Sequence, residues 1–124
     1  MEEFIRWIKQ AEADYDAAKY NLNGKKYYVC ANYSQQTVEK SLKALFIKDK
    51  KELIKSHSIT KIAKLLKLPE KLIIKISELE PVYQESRYPD VSPQLPFEEY
   101  NKEDAIKFLN TAKEVLIWVT KKLK

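Results

Sequence analysis

Polar and apolar positions repeat with a helical period from Tyr27 to Lys48, and this stretch organises the rest of the chain. At about 100° per residue, one broad face collects small and apolar side chains: Cys30, Ala31, Ser34, Thr37, Val38, Ser41, Leu42, Ala44 and Leu45. The opposite face collects polar side chains: Asn32, Gln35, Gln36, Glu39, Lys40 and Lys43. The small residues recur at alternating steps of four and three, which lets a neighbouring helix approach closely. The pattern predicts a central helix packed on more than one side, with Glu39 and Lys43 as an exposed pair.

A second helical pattern precedes the central one and extends from about Glu2 to Leu22. Asn23 and Gly24 end it, and Gly24 is expected to take the left-handed conformation that follows a last helical turn. Only Lys25 and Lys26 remain before the central helix begins. So short a connection predicts that these two helices are antiparallel neighbours.

Three further helices are predicted after the central one. Ser58 is expected to cap a short helix of about two turns, and Pro69 to start a fourth helix whose last turn contains Pro81. Asn101 is expected to cap a final helix that continues to the C-terminus. No stretch alternates with the period of two that a strand requires. The sequence therefore predicts an all-α fold, a bundle of four long helices with one short helix inserted, five helices in all, in a single domain over residues 1–124.

Residues 84–101 show neither a helical nor a strand period, and three prolines interrupt them. Loops of this length are uncommon inside a compact domain and are usually functional or disordered. The segment nevertheless contains apolar and aromatic side chains: Tyr88, Val91, Leu95, Phe97 and Tyr100. These side chains are expected to pack onto the domain.

The 124 residues include 23 basic and 18 acidic ones, for a net charge of +5. This excess allows weak attraction to phosphate-bearing partners, although a solvated lysine-rich surface explains it more simply. The single cysteine, Cys30, lies on the buried face, which excludes an internal disulfide and fits a reducing compartment. No charge-free run is long enough to span a bilayer, so a cytoplasmic protein is expected. One glycine and many Lys, Glu and Ile residues hint at a thermophilic source.

Few residues are candidates for chemistry. A chain with one glycine cannot form a glycine-rich phosphate loop, and one His and one Cys give no metal cluster. The acidic residues Asp14 and Asp16 of the first helix are interpreted as a solvated patch. His57 precedes a helix start, where a structural or solvent-facing role is favoured over a functional one.

The most specific short motif is Arg87-Tyr88-Pro89-Asp90. Arginine is otherwise present only at Arg6, which suggests a site that needs a planar fork of donors. Asp90 could be the bidentate partner of Arg87, and the pair would then only pin the loop. Alternatively, Arg87 beside Tyr88 could bind a phosphate and stack on a base. The residues alone favour pinning slightly.

The order of these motifs resembles the HEPN domain family, named for higher eukaryotes and prokaryotes nucleotide-binding, over nearly the whole chain. The resemblance depends on Trp7, on Ala11 to Tyr15, on Tyr33 to Ala44, on His57-Ser58-Ile59, on Arg87 to Asp90 and on Ile117-Trp118-Val119. It implies a dimeric, up-down four-helix bundle with one extra short helix. Small members of the family are often paired with a minimal nucleotidyltransferase in toxin–antitoxin-like modules. The family is also similar to the C-terminal helical domain of kanamycin nucleotidyltransferase.

One family motif is absent. Ribonuclease members carry an arginine and a later histidine separated by four to six residues, but neither Arg6 nor Arg87 is followed by such a histidine. The only histidine, His57, lies thirty positions before Arg87 on another element. The metal-independent RNA cleavage that is known in the family is therefore not supported by its motif in this chain.

The sequence thus favours a non-catalytic HEPN protein, a homodimer that binds a nucleotide or a minimal nucleotidyltransferase, with no metal and no cofactor other than that nucleotide. The candidate binding residues are Gln36, Lys40, Lys43, His57, Arg87, Tyr88 and Asp90. Lys40, Lys43 and Arg87 would contact phosphate, Tyr88 would stack, and Gln36 or His57 would hydrogen-bond. Two alternatives stay open: an endoribonuclease toxin that uses His57 and Arg87 across the dimer, and a structural interaction module without a small ligand. The dimer is also expected because the apolar faces of the central and last helices are broader than one core requires.

Overall fold

The computed structural model describes residues 2–124, and all the regular secondary structure in this range is helical. In chain order the helices are α1 (Glu3–Asn23), α2 (Tyr27–Lys50), α3 (Ile59–Leu65), α4 (Glu70–Leu79), α5 (Val82–Glu85), α6 (Pro96–Glu99) and α7 (Lys102–Leu123). The predicted all-α fold is confirmed. The described residues contain two helices more than the five predicted, the single-turn helices α5 and α6. Helix α5 lies at the predicted end of the fourth helix, and α6 lies within the segment that lacked a period.

Helix α2 is the centre of the bundle and packs against α1, α7 and the segment from α3 to α6. The small residues at the predicted seam, Cys30, Ser34, Thr37, Ser41 and Ala44, are all fully buried. Their short side chains let α1 and α7 approach the α2 backbone closely. The main core lies beside this seam and includes Leu42, Ile62, Ile76 and Val115. Burial of each such side chain stabilises the fold by about 1.5–3 kcal/mol.

The end of α1 differs from the expectation in one residue. Gly24 has φ −81°, and the left-handed residue is Lys25, with φ 61°. The Lys26 amide donates to the Asn21 carbonyl, and the Lys25 amide donates to the Leu22 carbonyl. This is a Schellman motif with lysine at the position that glycine usually occupies. The prediction of the helix end was correct, whereas the left-handed conformation of Gly24 was wrong.

The starts of the later helices agree more closely with the sequence. The Ser58 hydroxyl accepts from the Lys61 amide and caps α3, and Asn101 and Asp104 form a reciprocal capping box at α7. Pro69 is the residue before α4, one position earlier than expected. Helix α4 ends at Leu79, so Pro81 precedes α5 instead of lying in the last turn of α4.

The segment before α7 packs less closely than predicted. Tyr100 is buried and meets Phe108 edge to face, with ring centroids 6.2 Å apart. The other four apolar side chains are exposed: Tyr88 by 47%, Val91 by 42%, Leu95 by 44% and Phe97 by 64%. The expectation that all five pack onto the domain is therefore wrong for four of them.

The surface that was expected to support a dimer is smaller than the sequence suggested. No apolar side chain of α2 between Cys30 and Ile47 is exposed, because other helices of the same molecule cover both faces of α2. Helix α7 does keep two exposed isoleucines, Ile106 and Ile117. The homodimer stays a prediction, and its support comes from α7 and not from α2.

Candidate functional site

The polar face of α2 is mostly buried inside the fold. It forms two parallel rows with a spacing of four residues, the first made of Gln35, Glu39 and Lys43, and the second of Asn32, Gln36 and Lys40. The first row is buried and the second is half-buried. The prediction that Glu39 and Lys43 are exposed is therefore wrong, because α1 and the segments around His57 and α5 cover this face.

The first row centres on the buried carboxylate of Glu39. Its Oε1 accepts a hydrogen bond from Gln35 Nε2 at 3.0 Å, and its Oε2 accepts from Lys43 Nζ at 3.0 Å. The Lys43 ammonium also lies 5.7 Å from the centroid of the Trp7 ring on α1. The Glu39–Lys43 pair was predicted correctly, but only 11% and 6% of the two side chains are exposed, so it is a buried pair.

His57 joins this row from outside α2. Its Nδ1 lies 2.9 Å from Glu39 Oε2, and because a carboxylate only accepts, the Nδ1–H donates. Burial raises the pKa of Glu39, but hydrogen bonds from His57, Gln35 and Lys43 outweigh it, so the pKa is lowered overall. The carboxylate therefore stays ionised and fixes one edge of the imidazole ring.

The second row links α1 to α5. Lys40 Nζ lies 2.6 Å from Asp14 Oδ2 and donates to Gln36 Oε1 at 3.2 Å. Gln36 donates to Asn32, and Asn32 donates to the Ser86 hydroxyl at 2.9 Å. Asp14 is only 3% exposed, so its interpretation as part of a solvated patch is wrong. This row holds the residues that follow α5 against the central helix.

Tyr83 brings together two of the predicted site residues. The His57 ring stacks on the Tyr83 ring at 5.0 Å between centroids, with 29° between the planes. The Arg87 guanidinium carbon lies 4.1 Å from the same ring centroid, and Arg87 Nη1 donates to the Tyr83 carbonyl at 2.6 Å. His57 and Arg87, thirty positions apart in sequence, therefore share one aromatic ring. We call these three residues the His57–Tyr83–Arg87 cluster.

The sequence did not indicate Tyr83 as a site residue. The available signal was its spacing of four from Arg87, which places two side chains on one helical face. That spacing was missed because the predicted fourth helix extended to Val82 and residues 84–101 were interpreted as a loop, so no helical turn was expected to contain both Tyr83 and Arg87.

The proposed ion pair between Arg87 and Asp90 does not form, since no salt bridge joins them in the described part of the chain. Arg87 instead contacts Tyr83 on its own turn, and Asp90 is exposed. The interpretation that Arg87 and Asp90 pin the loop as an ion pair is therefore wrong. The side chain of Tyr88, next to Arg87, is about half exposed.

The free edge of His57 opens into a cleft. The side chain is 59% exposed, and among residues 2–124 its Nε2 has no hydrogen-bond partner. The cleft has a volume of about 430 Å³ and is lined by His57, Ser58, Glu80, Pro81, Tyr83 and Gln84. Nε2 can accept a proton or hydrogen bond when the ring is neutral and can donate to an anion when the ring is protonated.

Other types of site find no support between residues 2 and 124. No three His, Cys, Asp or Glu side chains lie close enough there to hold a metal ion. None of the helices described is both long and apolar enough to cross a membrane. Cys30 is fully buried, and burial raises the pKa of its thiol to about 11, so it has the environment of a structural cysteine.

The structure thus divides the predicted site residues into three groups. Gln36 and Lys40 belong to the second polar row, Lys43 belongs to the first row with His57, and Arg87 joins His57 through Tyr83. Tyr88 and Asp90 lie exposed on the loop that follows.

Comparison with known proteins identifies the family. The HEPN domain matches residues 5–123. A protein of Methanocaldococcus jannaschii named "Putative toxin MJ1304" is 33% identical, and the match covers 89% of this chain and 81% of the relative.

Solved structures agree with this match. The structure described as ST0689, an archaeal HEPN homologue, has 35% identity and a TM-score of 0.86, with both chains covered completely. TT1696 from Thermus thermophilus has 28% identity and a TM-score of 0.88 over 98% of this chain and 99% of its own. A HEPN domain protein from Thermotoga maritima shares the fold at 22% identity, with a TM-score of 0.76 over 95% and 97% of the two chains. The chain belongs to the HEPN domain family.

Proposed function

We propose that this chain is a non-catalytic HEPN protein of a toxin–antitoxin-like module, in which it binds a nucleotide or a minimal nucleotidyltransferase. The relative named as a toxin supports the module. The observation that carries the binding site is the His57–Tyr83–Arg87 cluster, where an imidazole and a guanidinium meet on one aromatic ring beside an open cleft. Such a combination suits a ligand with a negative phosphate and a planar base.

The geometry supports different roles for the predicted residues. Arg87 and the free Nε2 of His57 would contact phosphate oxygens, and the exposed Tyr88 ring would stack on a base. The Lys43 ammonium is buried against Glu39, and the Lys40 ammonium is paired with Asp14. These two lysines, together with Gln36, would therefore stabilise the packing next to the site and would not bind phosphate directly. Asp90 would contact a protein partner at the exposed edge.

The proposal that the protein is non-catalytic depends on the contacts that its cationic side chains already make. Acid–base cleavage of RNA needs a proton-exchanging group and a cation that stabilises the developing charge. Arg87 already donates to the Tyr83 carbonyl and stacks on the Tyr83 ring. The arginine–histidine spacing of the ribonuclease members is absent. RNA cleavage needs a proton-exchanging group and a cation placed together, whereas ligand binding does not need both in that arrangement.

Isothermal titration calorimetry with ATP tests the binding site. The parent should bind, and Arg87→Ala and His57→Ala should each weaken binding by about tenfold or more, the effect of losing one charge-assisted contact of roughly 1.4 kcal/mol. Arg6→Ala is the matched control, because Arg6 is the other arginine of the chain and is exposed on α1. Failure of the parent to bind ATP, or an equal loss in the Arg6 variant, would contradict the assigned site.

A second experiment tests the protein partner. The tagged protein is purified from its native host, and the proteins that accompany it are identified by mass spectrometry. A small nucleotidyltransferase is expected with the parent and in reduced amount with Asp90→Lys. Recovery of the chain without any nucleotidyltransferase would contradict this half of the proposal.

One observation favours a second candidate function, a metal-independent endoribonuclease. His57 and Arg87 lie on the same tyrosine ring, and Glu39 fixes the orientation of the imidazole, as a general base would require. The assay incubates single-stranded RNA with the parent and with His57→Ala in the presence of a chelator over a range of pH. We expect intact RNA in both. Cleavage by the parent that disappears in a folded His57→Ala variant would establish the ribonuclease instead.

A further inference from the structure

The segment between α5 and α7 presents a fixed apolar surface to solvent. Tyr88, Val91, Leu95 and Phe97 are exposed within ten residues of each other, which is an unusual density for a protein surface. The backbone between them is constrained by Pro89, Pro93 and Pro96.

Hydrogen bonds inside this segment add to the constraint. The Ser92 hydroxyl donates to Glu99 Oε1 at 3.1 Å, and the Leu95 amide donates to Glu98 Oε1 at 3.3 Å. A loop that is already ordered loses little conformational entropy when it binds. The segment therefore has the properties of a docking element and not of a disordered linker.

The charge of this region is opposite to that of the rest of the protein. Residues 85–104, here called the acidic segment, contain six acidic and two basic residues, whereas the whole chain has a net charge of +5. The remaining surface is therefore strongly basic. Charge complementarity makes that surface of a second copy a suitable partner for the acidic segment.

A groove between α4 and α7 provides such a surface. Its lining contains four apolar residues, Pro69, Leu72, Ile117 and Trp118, together with three lysines and one carboxylate. That carboxylate, Glu114, pairs with Lys75, so Lys71 and Lys121 keep the groove basic. The volume of this open groove is about 410 Å³, enough for one or two large apolar side chains. We call it the basic groove.

The two surfaces lie at opposite ends of α7. The acidic segment ends at Asp104 in the first turn of α7, and the basic groove reaches Ile117, thirteen residues or about 20 Å further along the helix at 1.5 Å per residue. Ile106 and Ile117, both exposed, are eleven residues apart and therefore lie on one stripe of α7. Two α7 helices placed antiparallel would bring each acidic end to the other's basic end.

We infer that the acidic segment of one molecule docks in the basic groove of a second copy, and that the second copy returns the same contact about a two-fold axis. Phe97, the most exposed large apolar side chain of the segment, would enter the groove beside Ile117. This inference specifies the interface of the homodimer that the sequence predicts. It does not depend on which ligand the His57–Tyr83–Arg87 cluster binds. A failed nucleotide titration would therefore contradict only the ligand site, and a monomeric mass would contradict only the dimer interface.

The test compares Phe97→Ser, which alters the segment, with Ile117→Ser, which alters the groove. Each variant damages both contacts of its own homodimer, so each should raise the dimer dissociation constant by about a hundredfold or more, tenfold or more per contact. Light scattering should give the parent about twice the chain mass of 14.6 kDa and each variant about that mass. Tyr20→Ser is the matched control, because Tyr20 is 78% exposed on α1, outside both surfaces, and this variant should stay dimeric.

Mixing the two variants gives the decisive result. A heterodimer of Phe97→Ser with Ile117→Ser keeps one undamaged contact, from the segment of the second variant to the groove of the first. The mixture should therefore dimerise more strongly than either variant alone. A monomeric parent, dimeric single variants, or a mixture no stronger than its components would each overturn the inference. Circular dichroism of each variant shows that loss of the dimer does not reflect unfolding.

Discussion

His57 Nδ1 donates to Glu39 Oε2 over 2.9 Å, and this contact joins an exposed imidazole to a carboxylate that is almost completely buried. The buried carboxylate also holds Lys43, so one residue of α2 connects the protein interior to the candidate cleft. The orientation of the imidazole is thus set by a row of buried polar side chains on the face of α2 that His57 contacts.

Glu39→Gln should destabilise the protein by about 3 kcal/mol or more, because it leaves the buried Lys43 ammonium without its counter-charge. The exposed pair of Lys75 and Glu114 provides the control, and Glu114→Gln should cost less than about 1 kcal/mol. Urea denaturation at neutral pH measures both. Similar losses for the two variants would mean that burial does not strengthen the inner pair.

The same carboxylate should make stability depend on pH. The folded-state pKa of Glu39 lies below its ordinary value of 4.5, so the folded state favours the ionised form more than the unfolded state does. Its contribution is present above about pH 4.5 and is lost as pH falls through the lower folded-state pKa. Denaturation of the parent and of Glu39→Gln between pH 7 and pH 3 should show the difference between them shrinking at acid pH. A constant difference would contradict the assignment.

Lys25→Gly should stabilise the protein by roughly 0.5–1 kcal/mol, because φ 61° is strained for lysine and unstrained for glycine. Gly24→Ala should be tolerated or slightly stabilising, by about 0.4–1 kcal/mol, since φ is −81° and an added Cβ would lie at an ordinary 3.5 Å from the Tyr20 carbonyl oxygen. Thermal denaturation measures both variants. A large loss in Gly24→Ala would show that the glycine itself is required.

Arg87→Lys should weaken nucleotide binding by about tenfold, because lysine keeps the charge but loses the planar group that stacks on Tyr83. Asp90→Ala should change the free energy of unfolding by less than about 0.5 kcal/mol, because Asp90 is exposed and makes no ion pair with Arg87. Calorimetric titration and urea denaturation give the two quantities. A stability loss shared by both variants would restore the interpretation that the pair pins the loop.

Cys30 should resist alkylation by iodoacetamide at pH 8 in the folded protein, because burial hides the thiol and raises its pKa to about 11. In urea the single cysteine should react fully, and mass spectrometry counts one modification per chain. Rapid modification of the folded protein would show that the α2 seam opens readily.

The sequence by itself determined the fold class and most helix positions. Apolar spacing placed α1, α2 and α7 within one or two residues of their ends, and Ser58 and Asn101 cap helices as their chemistry requires. These features are local, since a helical period and a cap involve residues within a few positions of each other. The order of motifs was also sufficient to identify the HEPN family.

Only the tertiary structure decided which polar residues are buried and which distant residues meet. Gln35, Glu39 and Lys43 look exposed on a helical projection of α2, yet α1 and the segment at His57 cover them. A projection shows the direction of a side chain around one helix axis, but burial depends on which other element lies there. His57 and Arg87 meet on Tyr83 for the same reason, because contacts between residues thirty positions apart depend on how α3, α5 and α2 pack together.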